Sequence, residues 1–390
     1  MRVVSVLLSH APHLQTPTAL LDEYRTTTGW GEALVSAGLE PVNVIGFRHD
    51  AEQVRDGARY LFVRGFGGRS GDDSPTDPHA PMRGRRIPWR LLRRVVELEP
   101  DVVHLHSLIY ALQARALRSL LPDSTALVVQ HHAETPYTGL RAPLQRWGLA
   151  GVDAFFFNGE SLAEPFRRAG VIRPRQKIYG ILEGSLWDEA AYEALEALPA
   201  AGRPALFWVG NLNSNKDPLT ILGGFEAVLE DYPEAHLHMA FRHDDLLPQV
   251  RERLTRSPRL ASAVTLHGAL DHRTLVRRLR GADVFVQGSH HEGSGYGLVD
   301  ALACGLVPVV TDIPSFRFLL GDACGAYFSP GDRDAFERAL RDVFSGSLPE
   351  QKRVARRHFE HRLSWPALGR AAAAAYADAA ARRRSSISSE

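Results

Sequence analysis

Two carboxylates flank a glycine-rich loop in the second half of the chain. Glu292 and Asp300 are eight positions apart, with Gly293, Gly295 and Gly297 between them. The pattern predicts Glu292 on a loop and Asp300 in the opening turn of a helix. Glycines let the backbone approach a ligand or adopt positive φ, and the first N–H groups of a helix attract anions. The segment therefore predicts a floor for a sugar-phosphate group, although an acid such as Asp300 is also favoured at a helix start for electrostatic reasons alone.

A second polar loop, residues 210–218, contains Lys216, one of three lysines in the chain. It follows a short apolar run and precedes a helical stretch. A lysine beside a helix N-terminus brings two positive influences to one place, which favours a diphosphate. The alternative is a surface lysine next to an ordinary helix start, with Asp217 as N-cap and Pro218 at the first helical position.

Paired histidines follow a predicted strand in the first half of the chain. His131 and His132 come directly after the apolar run at residues 126–130. Ligands bind beyond the carboxyl ends of strands in open parallel sheets, and histidine can exchange a proton near neutral pH. A histidine that only ties a loop by hydrogen bonds is the alternative. We interpret His104 and His106, at the end of another strand, as packing or loop-ordering residues.

The elements that must position these residues alternate along the whole chain. Short Val- and Ile-rich runs with little polar alternation indicate strands buried on both faces, and helical stretches separate them. The pattern predicts an α/β protein with two doubly wound, Rossmann-like domains. The predicted strands are residues 3–8, 42–46, 102–105, 126–130, 154–157, 205–209, 236–240, 264–267, 284–286 and 307–310; the predicted helices are residues 31–37, 108–120, 219–230, 273–280 and 332–343.

The length of 390 residues favours two domains. Residues 65–86 are rich in Gly, Asp, Pro and Ser and predict a long mobile loop. We divide the chain into a first domain (1–182), a connection (183–203), a second domain (204–364), a helix (365–381) and a disordered tail (382–390).

Composition limits the partners. A net charge of +1 gives no case for nucleic acid, and the two cysteines lack metal-type spacing, which suits a reducing cytoplasm. The apolar N-terminal run is too short for a signal or a membrane span, so we expect a cytoplasmic protein. The basic run at residues 83–94 contains Trp89 and two leucines and would allow peripheral membrane contact; a solvated helix with its leucines inward is the alternative.

The second half resembles the nucleotide-sugar domain of the retaining GT-B glycosyltransferases of family 4. That family has a Gly-Arg-Leu…Lys loop, then Glu-x7-Glu followed by Ala-x-Ala-Cys-Gly-x-Pro-Val-Val. Here the matching residues are Gly210…Lys216, Glu292…Asp300 and the run Ala301-Leu-Ala-Cys-Gly-Leu-Val-Pro-Val-Val310. The resemblance covers most of residues 200–380 and is weaker but collinear over residues 1–180. It implies two domains facing across a cleft, with the last helix crossing back to the first domain.

The resemblance also implies roles. Lys216 would neutralise the donor diphosphate, Glu292 would hold sugar hydroxyls and Asp300 ribose hydroxyls, while His132 would face the donor sugar from the acceptor side. His132, Glu292 and Lys216 are thus the candidate catalytic residues, and Gly31, His131 and Arg242 are further candidates. The candidate donor-binding residues are Gly210, Asn211, Lys216, Glu292, Gly293, Ser294, Gly295, Tyr296, Gly297, Leu298 and Asp300.

Two positions depart from the family pattern. Asn211 stands where the family has arginine, and Arg242, after a neighbouring strand, is a candidate replacement. Asp300 is shorter than glutamate by one methylene but can still accept bonds from a diol. The single Asp-x-Asp, Asp332-Arg-Asp334, is better explained as a helix cap, so we expect no metal and no other cofactor.

These observations predict an enzyme that moves a hexosyl group from a nucleotide-diphosphate sugar to an acceptor hydroxyl on a saccharide, a lipid or a small molecule, with retention and without a metal. Two alternatives stay open. One is another GT-B enzyme, a sugar-nucleotide epimerase or a disaccharide phosphorylase. The other is a non-catalytic protein that binds sugar nucleotides.

Overall fold

The computed structural model describes residues 1–8, 13–64, 87–132, 134–182, 184 and 189–388. The predicted mobile loop, residues 65–86, lies outside this range. The chain forms two compact units, Met1–Gly184 with Trp365–Glu390, and Ser185–Ser364. No helix in the described part of the chain is both long and apolar enough to span a membrane.

The first unit alternates strands and helices. Its elements are β1 (Arg2–Leu7), α1 (Pro17–Glu23), α2 (Arg25–Ser36), β2 (Glu40–Phe47), β3 (Ala51–Arg55), β4 (Ala58–Arg64), α3 (Trp89–Glu97), β5 (Val102–His106), α4 (Ala111–Leu120), β6 (Ala126–Gln130), α5 (Ala142–Gly148), β7 (Ala154–Phe157), α6 (Glu164–Arg168) and β8 (Lys177–Gly180), with 3-10 turns at Gly139–Arg141, Leu149–Gly151 and Glu160–Ala163.

Within the described residues, these strands form one sheet in the order β3-β4-β2-β1-β5-β6-β7-β8. Neighbouring strands run parallel except β3 and β4, which form an antiparallel hairpin at one edge. The central strands are almost wholly buried because helices cover both faces. Strand β3 instead alternates between half-buried and exposed residues, and neither β3, β4 nor β8 was among the predicted strands.

The second unit repeats the pattern. Its elements are α7 (Glu189–Tyr192), β9 (Ala205–Gly210), α8 (Pro218–Val228), β10 (His236–Phe241), α9 (Leu247–Arg256), α10 (Pro258–Ala263), β11 (Val264–Gly268), α11 (His272–Arg280), β12 (Val284–Gln287), α12 (Tyr296–Ala303), β13 (Val307–Thr311), α13 (Pro314–Leu320), β14 (Ala326–Phe328), α14 (Arg333–Ser345) and α15 (Leu348–Arg362).

Its strands are all parallel, in the order β11-β10-β9-β12-β13-β14 among the described residues. The strand order reverses between β9 and β12, because the chain moves outward from β9 to β11 and then returns to place β12 on the other side of β9. Such a reversal opens a crevice at the carboxyl ends of the two strands. A core of buried aliphatic and aromatic side chains, among them Trp208, Phe225 and Phe336, fixes these strands against their helices.

The last helix, α16 (Trp365–Ser388), packs against α2 within the first unit. It corrects the predicted disorder of residues 382–390, because residues 382–388 continue the helix. Arg383 anchors this end: its Nε donates to the Asp123 carbonyl at 2.7 Å, and its guanidinium lies 3.6 Å from the Asp153 carboxylate. Residues 389–390 lie outside the described range.

Helix α2 corrects a second prediction. It begins at Arg25 rather than near Gly31, so Gly31 lies inside the helix and not at its start. A Cβ on Gly31 would come within 2.6 Å of the Tyr60 hydroxyl, and one on Gly29 within 2.3 Å of the Trp365 ring. The two glycines therefore permit close packing of α2 against Tyr60 and Trp365. Contact of Gly31 with a ligand stays a prediction.

Helix α3 carries the described part of the basic run. Leu91 and Leu92 are fully buried in the core, while Trp89 is exposed. Arg90 is paired with Asp50, and Arg94 with Glu97. The leucines therefore face inward, as in the alternative given above for this segment.

Candidate functional site

The two motif loops of the second unit meet at the strand-order reversal. Residues 211–217 follow β9 and residues 288–295 follow β12, and the two strands are neighbours in the sheet. Asn215 joins the loops: its side chain donates to the His291 carbonyl and accepts from the His291 amide, both at 3.0 Å, and its own carbonyl accepts from the His290 amide at 2.8 Å. A Cβ on Gly288 would lie 3.0 Å from the Asp217 carbonyl, so glycine allows this close approach.

Lys216 and Glu292 form an ion pair across these loops. The same carboxylate oxygen, Oε1, accepts from Ser289 Oγ at 2.7 Å and from Gln287 Nε2 at 3.3 Å. Both side chains are mostly buried, at 18% and 12% exposure. Within the described residues Glu292 Oε2 makes no hydrogen bond. The site thus holds the ammonium group of Lys216, positioned by Glu292, and one oxygen of Glu292 that can accept a hydrogen bond from a hydroxyl group.

The loop before Lys216 ends in a capped helix. Asp217 adopts a left-handed conformation (φ 42°, ψ 61°), its carboxylate accepts from the Thr220 amide, and Pro218 opens α8. His290 lies 3.3 Å from the other carboxylate oxygen of Asp217. The helix-start explanation of this loop is therefore correct in its details, but Lys216 also points to a partner carboxylate rather than to solvent.

Helix α12 begins directly after the glycine loop. Gly295 has φ 65° as its N-cap, where a side chain would be strained. Gly293, Ser294, Tyr296 and Gly297 are partly exposed around the first turn. The side chain of Leu298 is fully buried and its amide donates to the Gly295 carbonyl. Its place among the donor-binding residues stays a prediction.

The sequence predicted Asp300 in the first turn of α12, but it lies in the second turn. Its side chain is buried, with the residue 2% exposed. Its Oδ2 accepts from His272 Nε2 at 2.8 Å, and His272 Nδ1 lies 2.9 Å from the Tyr192 hydroxyl. Its Oδ1 is buried without a hydrogen-bond partner among the described residues. A buried, unpaired carboxylate oxygen is costly unless a ligand supplies a donor.

Arg242 lies beside the position of the missing arginine. In the register of β9 and β10, Phe241 is opposite Gly210, so the next residues, Arg242 and Asn211, are neighbours. The Leu212 amide donates to the His243 carbonyl at 2.8 Å and fixes the two loops together. Arg242 is exposed and makes no ion pair within the described residues.

The first unit carries a row of imidazoles at its own strand-order reversal, between β1 and β5. Ser5 Oγ lies 2.9 Å from His106 Nε2, and His106 Nδ1 lies 3.1 Å from His132 Nε2. His132 is exposed, whereas His131 is buried, stacks on Phe157 and ties the loop through the Glu134 carbonyl at 2.9 Å. Of the two histidines, His132 is the one open to a ligand.

Burial lowers the pKa of the two histidines on β5, His104 and His106. It lowers the pKa of His104 to about 3, with the charge of His132 adding to the effect. It also lowers the pKa of His106 well below its ordinary value, and His104 and His132 act in the same direction. His104 is fully buried and bonded to the Tyr376 hydroxyl at 2.7 Å, as expected for a packing residue. His106 instead connects Ser5 to His132.

The Asp-x-Asp pair behaves as a helix start. Asp332 caps α14 by accepting from the Ala335 amide at 2.9 Å, and Asp334 lies 3.1 Å from Arg333. In the part of the chain that the structure describes, no group of three His, Cys, Asp or Glu side chains has the arrangement of a metal site.

Several residues of the site escaped the sequence analysis. Gln287 and Ser289 lie next to the glycine loop and had no distinguishing spacing. His272 and Tyr192 are far from Asp300 in sequence, and the one available signal was that His272 follows β11, at the carboxyl edge of the sheet. His106 was interpreted as a packing or loop-ordering residue, and its bond to His132 on the loop after β6 agrees with the second of these roles.

Comparison with known proteins identifies the family. The "Glycosyl transferases group 1" profile matches residues 196–360, and the "Glycosyl transferase 4-like domain" profile matches residues 25–179. A GDP-mannose:cellobiosyl-diphosphopolyprenol alpha-mannosyltransferase of Xanthomonas oryzae is 26% identical over 322 residues, which are 77% of this chain and 82% of the relative.

Two solved structures share the fold over nearly their whole length. A glycosyltransferase from Rickettsia africae superimposes with a TM-score of 0.66 at 12% identity, covering 97% of this chain and 98% of the other. Sucrose-phosphate synthase from Thermosynechococcus elongatus gives a TM-score of 0.61 at 16% identity, with 97% and 98% coverage. The two profile matches together span most of the chain, which belongs to the group 1 glycosyltransferases of family 4, and the solved structures show the GT-B fold of two Rossmann-like domains.

Proposed function

We propose that this chain transfers a hexosyl group from a nucleotide-diphosphate sugar to an acceptor hydroxyl, with retention at the anomeric carbon and without a metal ion. The observation that carries the proposal is the Lys216–Glu292 pair at the strand-order reversal of the second unit, with the buried Asp300 nearby in the same motif. One cation and two carboxylates match one diphosphate and two sets of sugar hydroxyls.

The donor would replace contacts that the site now makes with itself. Lys216 would move part of its charge from Glu292 to the diphosphate, with Arg242 beside Asn211 as a second cation. Glu292, held by Ser289 and Gln287, would keep its Oε2 for sugar hydroxyls. The N-terminus of α12 would face an anionic group, since its first N–H groups have no acceptor within the helix.

The chemical step needs little from the protein beyond this. The bond from the anomeric carbon to the leaving phosphate oxygen breaks, and the acceptor oxygen forms the new bond on the same face. The proton of the acceptor hydroxyl passes to the departing phosphate. Lys216 would stabilise the charge that develops on that phosphate, and His132, bonded to His106, would orient the acceptor side.

Metal independence has its own test. Lys216, Arg242 and the N-terminus of α12 offer positive charge for a diphosphate without a divalent cation. We expect EDTA to leave the transfer rate unchanged within about twofold. A rate that collapses in EDTA and returns with Mg²⁺ would contradict this part of the proposal.

The acceptor is proposed to be a saccharide, a lipid-linked saccharide or a small molecule. The Xanthomonas relative is named for a diphosphopolyprenol-linked acceptor. In this chain Leu140, Leu144 and Trp147 are 100%, 43% and 51% exposed along one side of the α5 region, and the exposed Arg141 and Arg146 are next to them in sequence. An apolar face with arginines suits an anionic membrane surface.

Peripheral membrane contact is therefore part of the proposal. The protein should sediment with vesicles containing phosphatidylglycerol more than with pure phosphatidylcholine, and the double variant Leu144→Glu, Trp147→Glu should stay in the supernatant. Equal sedimentation of both proteins would remove this surface from the account. The expected cytoplasmic location stays a prediction, supported by the free thiols of Cys304 and Cys324.

The decisive test of function is donor binding followed by product analysis. A thermal-shift screen with UDP-, GDP-, ADP- and dTDP-sugars should single out one base, because a ligand that binds the folded state raises Tm. With that donor, an alcohol acceptor should yield a glycoside of the donor's anomeric configuration by NMR. Epimerised donor would indicate an epimerase, and phosphate-dependent cleavage of a disaccharide would indicate a phosphorylase.

A non-catalytic sugar-nucleotide binder is the second candidate, and Asn211 is the observation that favours it. Loss of the family's arginine removes half of the usual cationic pair at the diphosphate. Donor binding without transfer or hydrolysis across a wide acceptor panel would support this reading. An Asn211→Arg variant that gains turnover would support it further.

A further inference from the structure

We propose that His272 is a positioning residue of the nucleotide site, which holds the Asp300 carboxylate by one oxygen and leaves the other to accept a ribose hydroxyl. The proposal rests on the proposed function, because it takes the ligand to be a nucleoside diphosphate. It adds a residue that neither the sequence motif nor the family comparison assigns.

The two oxygens of the Asp300 carboxylate differ in their hydrogen bonds. The side chain is buried on α12, and its Oδ2 is bonded to His272 Nε2 at 2.8 Å. Its Oδ1 is buried and without a partner among the described residues. An ionised carboxylate only accepts hydrogen bonds, so the missing partner must be a donor such as a hydroxyl.

The His272 ring is held in place by its helix position and by Tyr192. It is the first residue of α11, directly after the N-cap Asp271. Its Nδ1 lies 2.9 Å from the Tyr192 hydroxyl, and the two rings meet edge to face with centroids 5.1 Å apart. A ring held at its backbone and at both nitrogens can determine how the Asp300 carboxylate is turned.

The hydrogen bonds persist in both protonation states of His272. Since Asp300 accepts, Nε2 carries a proton; Nδ1 then accepts from the Tyr192 hydroxyl in the neutral ring or donates to its oxygen in the imidazolium. Burial alone would lower the pKa of His272. The hydrogen bond and the charge of Asp300, together with the charge of Asp271, outweigh burial and raise this pKa.

The other titratable groups nearby do not replace His272. Cys304, the residue directly after α12, has its pKa raised by burial and by the Asp300 charge, so it stays a thiol. The other charged groups that act on Cys304 are Arg280, Arg356 and Glu193. Arg356 is paired with Glu193 and Glu360. His272 is the one hydrogen-bond donor to Asp300 among the described side chains.

Positioning by His272 matters because Asp300 is shorter than the glutamate of the family pattern. Aspartate reaches one methylene less far than the glutamate of the family pattern, so its orientation matters more for meeting a ligand. A fixed imidazole on Oδ2 leaves Oδ1 pointing away from His272. This gives a chain-specific reason why aspartate suffices at position 300.

The experiment compares ribose with 2′,3′-dideoxyribose by isothermal titration calorimetry. GDP, UDP and ADP are titrated first, and the tightest binder is then compared with its dideoxy counterpart. We expect the wild-type protein to prefer the ribose form by about tenfold or more, as one or two hydrogen bonds to a charged group would give. His272→Ala should reduce the preference below about threefold and leave dideoxy binding unchanged.

Two further variants separate positioning from folding. His272→Gln should keep most of the preference, because its amide can still donate to Asp300. His361→Ala, which removes an exposed histidine on α15, should change nothing.

The outcomes are distinguishable. If the wild-type protein binds none of the three diphosphates, the proposed function fails and this proposal is overturned with it. If ribose preference survives in His272→Ala, the positioning role alone is overturned, and a lower Tm in that variant would then assign His272 to folding.

Discussion

The two units place different chemistry at equivalent points of similar sheets. Both have a central strand order that reverses beside the first strand, between β1 and β5 in one unit and between β9 and β12 in the other. In the second unit the reversal carries Lys216, Glu292 and Asp300, which are charged; in the first it carries Ser5 and His106 beside His132. Strand order thus determines where a ligand can bind, and the residues at the strand ends determine which ligand.

The difference predicts a division of labour. The charged crevice would hold the diphosphate and hydroxyls of a donor, and the imidazole crevice would contact an uncharged acceptor hydroxyl. Burial lowers the pKa of His106, so this imidazole adds little charge at neutral pH.

The largest effect is expected from Glu292→Gln. The substitution keeps the shape but removes the charge that binds Lys216 and the sugar hydroxyls, so transfer should fall by about a hundredfold, or roughly 3 kcal/mol. Affinity for the nucleoside diphosphate alone should change less than threefold. Glu226→Gln, which breaks the pair between Glu226 on α8 and Arg253 on α9, is the matched control and should retain activity. Steady-state kinetics of both would expose a wrong assignment if they lose activity alike.

His132→Ala tests the other crevice. Without the imidazole, transfer should slow by about tenfold to a hundredfold, the usual range for a group that positions or exchanges a proton. Because His132 belongs to the first unit, calorimetric affinity for the nucleoside diphosphate should match that of the wild-type protein. A large loss of diphosphate affinity would contradict the division between the units.

The pH dependence of stability compares the two units through their buried histidines. Burial lowers the pKa of His104 to about 3 and that of His238 to about 4, with the charge of a neighbouring histidine assisting in each. Unfolded histidine titrates near 6.5, so below that pH the unfolded chain binds protons that the folded chain does not. Stability should be full above about pH 6.5 and fall as the pH drops towards 4.

The loss between pH 7 and pH 5 should be about 2 kcal/mol per histidine. His104→Gln and His238→Gln, which stay neutral, should each flatten the decline in urea unfolding, and His361→Gln should not. A decline of equal slope in all four proteins would show that other groups control acid stability.

The smallest effect concerns the replacement of the missing arginine. Arg242→Ala should weaken diphosphate binding by about threefold to fivefold, because an exposed charge contributes little. The double variant Asn211→Arg, Arg242→Ala should restore it. Unchanged affinity in Arg242→Ala would mean that Lys216 acts without a second cation.

Most of the sheet framework could be predicted from the sequence. Buried runs with sharp ends, such as Ala126–Gln130 and Ala154–Phe157, match the predicted strands to the residue. Strand β3, with its half-exposed alternation, and β14, with three residues, were missed because neither resembles a buried parallel strand.

The site was predictable where its residues are adjacent in sequence. The Lys216 loop and the glycine loop both follow strands that the apolar runs reveal, so their meeting could be expected. The bonds of Asp300 to His272, and of His132 to His106, join residues that are 28 and 26 positions apart. Such pairs follow from strand order and register, which no local spacing in the sequence displays.

Calorimetry on two lysine variants can show whether Lys216 binds the donor diphosphate. GDP, UDP and ADP are titrated into Lys216→Met and into Lys352→Met. The second substitution removes a lysine that is paired with Asp283, at the amino-terminal end of β12 and away from the motif loops. We predict that Lys216→Met binds the preferred diphosphate at least tenfold more weakly than the wild-type protein, as expected for a lost charge-assisted hydrogen bond. Lys352→Met should bind within twofold of it. Wild-type affinity in Lys216→Met would show that Lys216 does not bind the diphosphate.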